Sequence, residues 1–257
     1  MCTTCGCGQT GMVQITTMRD VLFTPRHEHT HDPVKPVRTQ LDLEQDILLK
    51  NNLQAERNRG YFMAKEILAL NLVSSPGSGK TSLLENTLQA LKGEVSFSVI
   101  EGDQQTTNDA DRIAATGIPV TQINTGKGCH LDSQMIWDAI QELKPENQST
   151  VFIENIGNLV CPSMFDLGEE KRIVVISVTE GDDKPLKYPD MFASSQLCII
   201  NKTDLLPYVN FKVEKVKEYA RRINPSIEFL ELSCTTGDGL GDWYNWLRKE
   251  NAIHTLA

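Results

Sequence analysis

The chain has 257 residues and a formal net charge of -9 at pH 7, and 40% of its residues are hydrophobic. This length and composition suit one substantial domain with an appendage, and they provide enough apolar side chains for a core. The acidic balance disfavours nonspecific binding to nucleic acid. No apolar run approaches the ~20 residues of a membrane-spanning helix, and no signal-peptide pattern opens the chain, so we expect a soluble cytoplasmic protein.

Residues 1–40 show no sustained helical or strand period, which predicts a flexible tail. Three of the seven cysteines lie in its first seven residues, at Cys2, Cys5 and Cys7. Such closely spaced thiolates suit Ni²⁺, Zn²⁺ or Cu⁺, and unused or redox-reactive thiols are the alternative. Three histidines follow, at His27, His29 and His31. An auxiliary metal store and a solvated loop remain equally open interpretations of these histidines.

From Leu41 the apolar residues recur at roughly helical spacing, which predicts one or two leading helices over residues 41–60. Residues 61–257 alternate strand-like and helix-like segments. Beyond the apolar run that ends at Val73, strands are predicted at 95–100, 118–123, 150–154, 173–178, 197–200 and 227–232. Helices are predicted at 83–91, 109–115, 130–143, 213–223 and 240–249. This alternation predicts an α/β fold, with a mostly parallel sheet, helices on both faces and ligands at the carboxyl ends of the strands.

A phosphate-binding loop connects the first strand to the helix that follows it. The segment Gly77-Ser78-Gly79-Lys80-Thr81-Ser82 has the composition and the strand-to-helix setting of a P-loop. Backbone N–H groups of such a loop surround the phosphates, Lys80 is expected to reach the β- and γ-phosphates, and Thr81 to bind Mg²⁺. Ser74 departs from the usual pattern, which begins with glycine. An ordinary Gly/Ser turn is the less favoured alternative.

The base preference is predicted by Asn201-Lys202-Thr203-Asp204, which follows an apolar strand. This tetrapeptide matches the guanine-reading sequence of GTPases. A carboxylate accepts hydrogen bonds from N1–H and the exocyclic amine of guanine, whereas adenine offers no such pair of donors. Ser233 and Cys234 follow the last strand, where a second loop would contact the base. We therefore expect GTP and GDP as ligands.

Two carboxylates at strand ends are candidates for Mg²⁺ or for positioning the attacking water. Glu154 begins Glu154-Asn155-Ile156-Gly157, in a place where many GTPases have Asp-x-x-Gly, and Gly157 would donate its N–H to the γ-phosphate. Asp103 ends the second strand. For either carboxylate, a helix N-cap or a solvated turn is the alternative. The predicted catalytic residues are Lys80, Thr81, Asp103 and Glu154.

A second metal site is predicted from Cys129, His130 and Cys161, which together offer three ligands of a tetrahedral or planar ion. Each residue alone is a weak signal, because a single cysteine is often a core residue. Cys198, inside an apolar strand, fits that simpler interpretation. Cys161 lies four residues after Gly157, so the nucleotide state could move a metal ligand.

Taken together, the Cys-rich start, the P-loop, Cys129-His130-Leu131-Asp132, residues 154–162 and residues 201–204 resemble the HypB family of hydrogenase nickel-incorporation GTPases. The resemblance covers the chain outside residues 8–60. It implies a slow GTPase that forms GTP-dependent homodimers and delivers Ni²⁺ to the large subunit of [NiFe]-hydrogenase, with a zinc-containing partner of the HypA type.

The resemblance also assigns residues. It implies that Cys2, Cys5 and Cys7 form a high-affinity nickel motif, and that Cys129, His130 and Cys161 form a metal site at the dimer interface. Lys184 and Lys187 resemble a loop that reaches across to the partner's nucleotide.

Three alternatives remain. A urease-accessory GTPase would have Cys-Pro-His where this chain has Cys161-Pro162-Ser163. A metal-storage protein with a structural nucleotide site would not need Asp204 or a complete Lys80-Thr81 pair. A small-molecule kinase would not need the guanine tetrapeptide.

Overall fold

The computed structural model describes residues 40–106 and 108–256, so Cys2, Cys5, Cys7 and the three tail histidines lie outside the described residues. The strands are β1 (Leu68–Ser74), β2 (Phe97–Asp103), β3 (Val120–Asn124), β4 (Thr150–Gly157), β5 (Lys171–Ser177), β6 (Leu197–Asn201) and β7 (Glu228–Glu231). The helices are α1 (Gln40–Ala64), α2 (Lys80–Ala90), α3 (Asn108–Ala115), α4 (Ser133–Leu143), α5 (Lys184–Lys187), α6 (Pro189–Ala193), α7 (Val213–Ile223) and α8 (Leu240–Leu256).

The seven strands form one sheet in the order β3-β2-β4-β1-β5-β6-β7, and every neighbouring pair is parallel. The chain runs outward from β1 to β3, returns to place β4 beside β1, and then extends the other half of the sheet. The central strands are buried along their whole length because helices cover both faces, which explains their nearly continuous apolar sequences. This confirms the predicted fold class.

Three groups of buried side chains form the core. On one face, Leu84 and Leu88 of α2 pack with Trp243 of α8 against β1 and its neighbours. On the opposite face, Phe62 of α1 and Ile136 of α4 pack against β1, β2 and β4, while α6 and α7 pack against β5 and β6. Residues from Gln45 onward form one compact unit. None of the helices in the described ranges has the length and apolarity needed to cross a bilayer.

Two helix boundaries differ from the sequence prediction in ways that matter for the site. The leading segment is one continuous helix through Ala64. Helix α4 begins at Ser133 and not at His130, because the side chain of Asp132 caps it by accepting a hydrogen bond from the N–H of Met135 at 2.8 Å. Cys129 and His130 therefore lie in the loop that precedes α4, where their side chains are not constrained by helical geometry.

Candidate functional site

The P-loop connects β1 to α2 at the carboxyl edge of the sheet. Lys80 is buried, and its Nζ donates a hydrogen bond to Oγ of Ser74 at 2.8 Å. Burial lowers the pKa of Lys80, and the nearby carboxylates, Glu154 foremost, oppose that shift. The φ angle of Ser74 is not positive, so this position does not need the conformational freedom of glycine. That is why serine can replace the usual first glycine of the P-loop here.

The predicted Mg²⁺ ligand Thr81 lies beside the carboxylate of Glu154. Its Oγ1 donates to Oε1 of Glu154 at 2.8 Å, while Oε2 of Glu154 is buried without a hydrogen-bond partner. Burial raises the pKa of Glu154, and Lys80 and Thr81 act in the opposite direction. A hydroxyl and an incompletely partnered carboxylate beside a phosphate loop are oxygen donors of the type that Mg²⁺ prefers. These residues fit the ion.

A third carboxylate, Glu101, was missed by the sequence reasoning. It lies directly opposite Glu154 in the β2–β4 register and is only 2% exposed, and its Oε2 has no hydrogen-bond partner. Burial and then the charge of Glu154 raise the pKa of Glu101 to about 8. The segment Glu101-Gly102-Asp103 marked this strand end, but only the strand register shows that Glu101 and Glu154 are adjacent.

Asp103 also lines the site, in a more exposed setting. Its carboxylate accepts hydrogen bonds from the N–H of Gln104 at 2.5 Å and of Thr106 at 3.1 Å, and from the hydroxyl of Thr106. Partial burial raises the pKa of Asp103, but these hydrogen bonds lower it below its ordinary value. An ionised carboxylate at this edge remains a candidate for ordering water.

These groups surround one cavity of about 530 Å³ at the carboxyl edge. Its lining includes the P-loop, all three carboxylates, Gly157 and Lys202, together with Asp109 and Arg112 of α3. Arg112 forms ion pairs with Glu85 and Asp109. The cavity places a P-loop, a hydroxyl and carboxylates within one space, as phosphate and Mg²⁺ binding require.

The guanine tetrapeptide lies beside the P-loop. Nδ2 of Asn201 donates to the carbonyl oxygen of Ser78 at 2.8 Å, and Nζ of Lys202 donates to that of Gly77 at 2.7 Å. Oδ1 of Asn201 accepts from the N–H of Cys234 at 3.3 Å. Oδ1 of Asp204 accepts from Oγ of Ser233 at 2.6 Å, which orients the carboxylate. All five predicted base-site residues are thus connected to one another or to the P-loop.

Of the two lysines predicted to lie near a nucleotide, Lys187 does not contact the P-loop of its own chain. Its Nζ pairs with Asp183 at 2.8 Å, and its side chain is 59% exposed. Lys184 instead donates to Oγ of Ser75 at 2.8 Å and pairs with Glu180, whose other carboxylate oxygen accepts from Ser78 at 2.9 Å. Glu180 was also missed, because nothing in its local sequence indicates that it reaches the P-loop.

Cys129, His130 and Cys161 come together in space, and their candidate ligand atoms all lie within 4.8 Å of one another. The two Sγ atoms are 3.0 Å apart, and Sγ of Cys129 is 3.8 Å from Nδ1 of His130. Burial lowers the pKa of His130, which favours the neutral imidazole that metals bind. Two sulfurs and one nitrogen suit Zn²⁺ or Ni²⁺. Cys198, by contrast, is fully buried in the core.

Short contacts connect this cluster to the P-loop. A Cβ added to Gly157 would lie 3.0 Å from Cα of Pro76, so a larger residue here would require β4 or the loop to move by a few tenths of an ångström. Asn158 follows, and its Nδ2 donates to the carbonyl oxygen of Cys129 at 3.2 Å. The segment from Gly157 to Cys161 therefore contacts the P-loop at one end and carries a candidate metal ligand at the other.

The fold and this site define a P-loop nucleotide-binding protein with a cysteine–histidine cluster beside the segment that follows β4. The profile of the CobW/HypB/UreG nucleotide-binding domain matches residues 68–231. The hydrogenase maturation factor HypB of Escherichia coli K12 is 50% identical, in an alignment that covers 97% of this chain and 99% of that protein.

Two solved structures agree. HypB from Helicobacter pylori in complex with nickel is 40% identical and superposes with a TM-score of 0.76, covering 79% of this chain and 96% of that one. HypB from Archaeoglobus fulgidus is 39% identical with a TM-score of 0.74, covering 79% and 99%. The chain belongs to the HypB family of hydrogenase maturation factors.

Proposed function

We propose that this protein is a GTP-hydrolysing nickel metallochaperone of [NiFe]-hydrogenase maturation. The observation that carries the proposal is the four-residue separation between Gly157, packed on the P-loop, and Cys161, which lies 3.0 Å from Cys129. A change at the γ-phosphate position would move a backbone segment that ends in a metal ligand. GTP would thus control when Ni²⁺ is held and when it is released.

The same site would convert GTP to GDP and phosphate. Asp204 would select guanine, Lys80 would hold the phosphates, and Thr81 with Glu154 would hold Mg²⁺, which neutralises phosphate charge when bound. Lys187, exposed at the surface, would act on the nucleotide of a second copy. We expect slow turnover, because Arg112, the arginine that lines the cavity in the described ranges, is already paired with Glu85 and Asp109.

The metal cluster would accept Ni²⁺ as cargo and Zn²⁺ as a competing ion. Cys2, Cys5 and Cys7 would form the tightest nickel site. Two exposed apolar side chains, Val160 and Met164, flank Cys161, and they support a GTP-dependent homodimer that closes over the cluster. The receiving partner would be the hydrogenase large subunit, with a HypA-like zinc protein as a second partner. The protein would act in the cytoplasm, which supplies GTP and keeps cysteine thiols reduced.

Nickel titration of the purified protein without nucleotide, with GDP and with a nonhydrolysable GTP analogue tests the proposal, with the mass of the particle measured alongside. We expect two nickel sites, one of which changes affinity between the GDP and analogue states, and a dimer with the analogue. Identical nickel isotherms in all three states would rule out the coupling. Absence of nickel binding would rule out the chaperone role.

A further inference from the structure

Two buried asparagines lie on one face of α1, and neither belongs to the nucleotide cavity or to the cysteine–histidine cluster. Asn51 is 6% exposed and Asn58 is completely buried. Their spacing of seven residues is about two helical turns, so the side chains project from the same side of the helix. A buried amide is costly unless it is fully hydrogen-bonded, so the partners of these two amides indicate why they are there.

Each amide bridges the same two segments of chain. Nδ2 of Asn51 donates to the carbonyl oxygen of Asp166 at 2.8 Å, while its Oδ1 accepts from the N–H of Ser133 at 2.9 Å. Nδ2 of Asn58 donates to the carbonyl oxygen of Ser133 at 2.8 Å and to that of Leu167 at 3.0 Å. Oγ of Ser133 adds a fifth hydrogen bond, which it donates to the carbonyl oxygen of Asn51 at 2.7 Å.

The bridged segments are the ones that carry the metal cluster. Ser133 lies three residues after His130, and Asp166 lies five residues after Cys161. Between them, the ring of Phe165 stacks on that of His130 with centroids 3.9 Å apart. Helix α1 therefore holds the segment after His130 and the segment after Cys161 by hydrogen bonds, without supplying a ligand itself.

Buried charge reinforces the second segment. The guanidinium of Arg172 donates to the carbonyl oxygens of Ser163 at 3.2 Å and Phe165 at 2.9 Å, and it pairs with Glu169 at 2.8 Å. Gly168 packs directly on α1, since a Cβ there would lie 2.5 Å from the carbonyl oxygen of Ala55. The contact leaves little space for α1 to shift while the segment stays in place.

We propose that Asn51 and Asn58 are positioning residues of the Cys129–His130–Cys161 cluster, holding its two segments at the separation that metal binding requires. This inference rests on the proposed metal site. Hydrogen-bonding partners behind metal ligands commonly contribute about 10–100-fold to affinity. Here the support acts on the backbone beyond the ligands and comes from a helix that contributes none of them.

The test uses the full chain with Cys2, Cys5 and Cys7 replaced by serine, so that tail thiols do not compete. Into this parent we introduce Asn51→Ala, Asn58→Ala and, as a matched control on the exposed side of α1, Asn52→Ala. Nickel affinity is measured by titration, and Co²⁺ absorption spectra report the coordination geometry. GDP affinity shows whether the domain is folded.

We expect nickel affinity to fall about tenfold or more in Asn51→Ala and Asn58→Ala, with altered Co²⁺ bands and unchanged GDP affinity. Asn52→Ala should match the parent. A purely structural role would leave the Co²⁺ bands unchanged in the folded fraction. Parental nickel affinity in variants that still bind GDP would overturn the inference, whereas a parent that binds no nickel would overturn the proposed function as well.

If the two asparagine variants lose GDP binding, the inference is tested instead by amide hydrogen exchange on the parent protein, with and without nickel. Coupling is reciprocal, so a helix that supports the metal site should itself be stabilised by the metal. Nickel should slow amide exchange over residues 51–58 of α1. Unchanged exchange in that stretch at saturating nickel would overturn the inference.

Discussion

At the scale of single residues, the nucleotide site contains carboxylates with opposite tendencies. Glu101 and Glu154 are adjacent and buried, so ionising both in the absence of a cation is unfavourable. Asp103 instead accepts hydrogen bonds that favour its charged form and lower its pKa. The buried pair is suited to respond to a bound cation, while Asp103 is ionised and available to order water at neutral pH.

The first prediction concerns Glu101 and the stability of the nucleotide-free protein. Its pKa is raised from 4.5 to about 8 by burial, so the unfolded chain loses this proton first as pH rises. Glu101 should therefore reduce the free energy of unfolding progressively between about pH 4.5 and pH 8, by up to about 5 kcal/mol in total. Urea unfolding across that range should show a smaller decline for Glu101→Gln than for the wild type.

Glu142→Gln, on the exposed side of α4, provides the control and should follow the wild-type profile. An unchanged decline in Glu101→Gln would contradict a buried protonated carboxyl at this position.

The second prediction concerns base selection by Asp204. In Asp204→Asn, the side chain can donate to the 2-oxo group of xanthine but no longer accepts both guanine donors. We expect GTP affinity to fall by roughly 100-fold or more and xanthosine triphosphate to bind better than GTP. Competition titrations with both nucleotides measure this, with Asp238→Asn, an exposed carboxylate on the loop of Ser233 and Cys234, as control. Wild-type GTP affinity in Asp204→Asn would remove the base-reading role.

At the scale of elements, the segment that follows β4 connects the P-loop with the cluster of Cys129, His130 and Cys161. It leaves the sheet at Gly157 against Pro76, supports Cys129 through Asn158, and ends in the short 3₁₀ helix Cys161–Ser163. The loop before α4 lies opposite, shaped by the Asp132 cap. Two loops at the same edge of a parallel sheet thus bring together three candidate metal ligands that neither loop could supply alone.

The third prediction tests that connection. Under the proposed coupling, Cys161→Ala removes the ligand at the end of the segment that packs on the P-loop, so nickel affinity of the remaining cluster should no longer differ between the GDP and GTP-analogue states. The measurement is nickel titration in both states. Ser163→Ala, a change on the same short 3₁₀ helix that leaves all three ligands in place, should keep the difference. A nucleotide dependence that survives in Cys161→Ala would contradict coupling through this residue.

At the scale of the whole molecule, the chain combines a nucleotide-binding domain with an N-terminal segment of different composition. The predicted boundaries, residues 1–40, 41–60 and 61–257, remain predictions. The continuous α1 crosses the second of them and packs on the sheet through Phe62. What matters functionally is whether the tail and the domain bind metal independently.

The fourth prediction addresses that independence. Replacing Cys2, Cys5 and Cys7 together by serine should abolish the tightest nickel site and leave GTP turnover at the wild-type rate, because all predicted catalytic groups lie in the domain. Titration and phosphate release measure the two effects. Replacing His27, His29 and His31 by alanine is the matched tail control and should retain the tightest site. A tight site that survives the loss of all three thiols would disprove the tail assignment.

Much of this protein can be predicted from its sequence, because the deciding signals are local. The apolar strands, the helices between them and the order of both follow from side-chain periodicity, and the P-loop and guanine tetrapeptide are contiguous stretches with a fixed mechanical role. Cys129, His130 and Cys161 are also predicted from residue type, and Cys161 in addition from its place four residues after Gly157.

Other features were decided only by tertiary structure, because they depend on which strands and loops become neighbours. The β2–β4 register places Glu101 beside Glu154, and Lys184, not Lys187, reaches the P-loop within the chain. The support of the metal segments by Asn51 and Asn58 spans 82 and 109 positions of sequence. Periodicity specifies an element and its buried face, whereas contacts between distant elements arise when the parallel sheet brings the carboxyl ends of its strands to one edge.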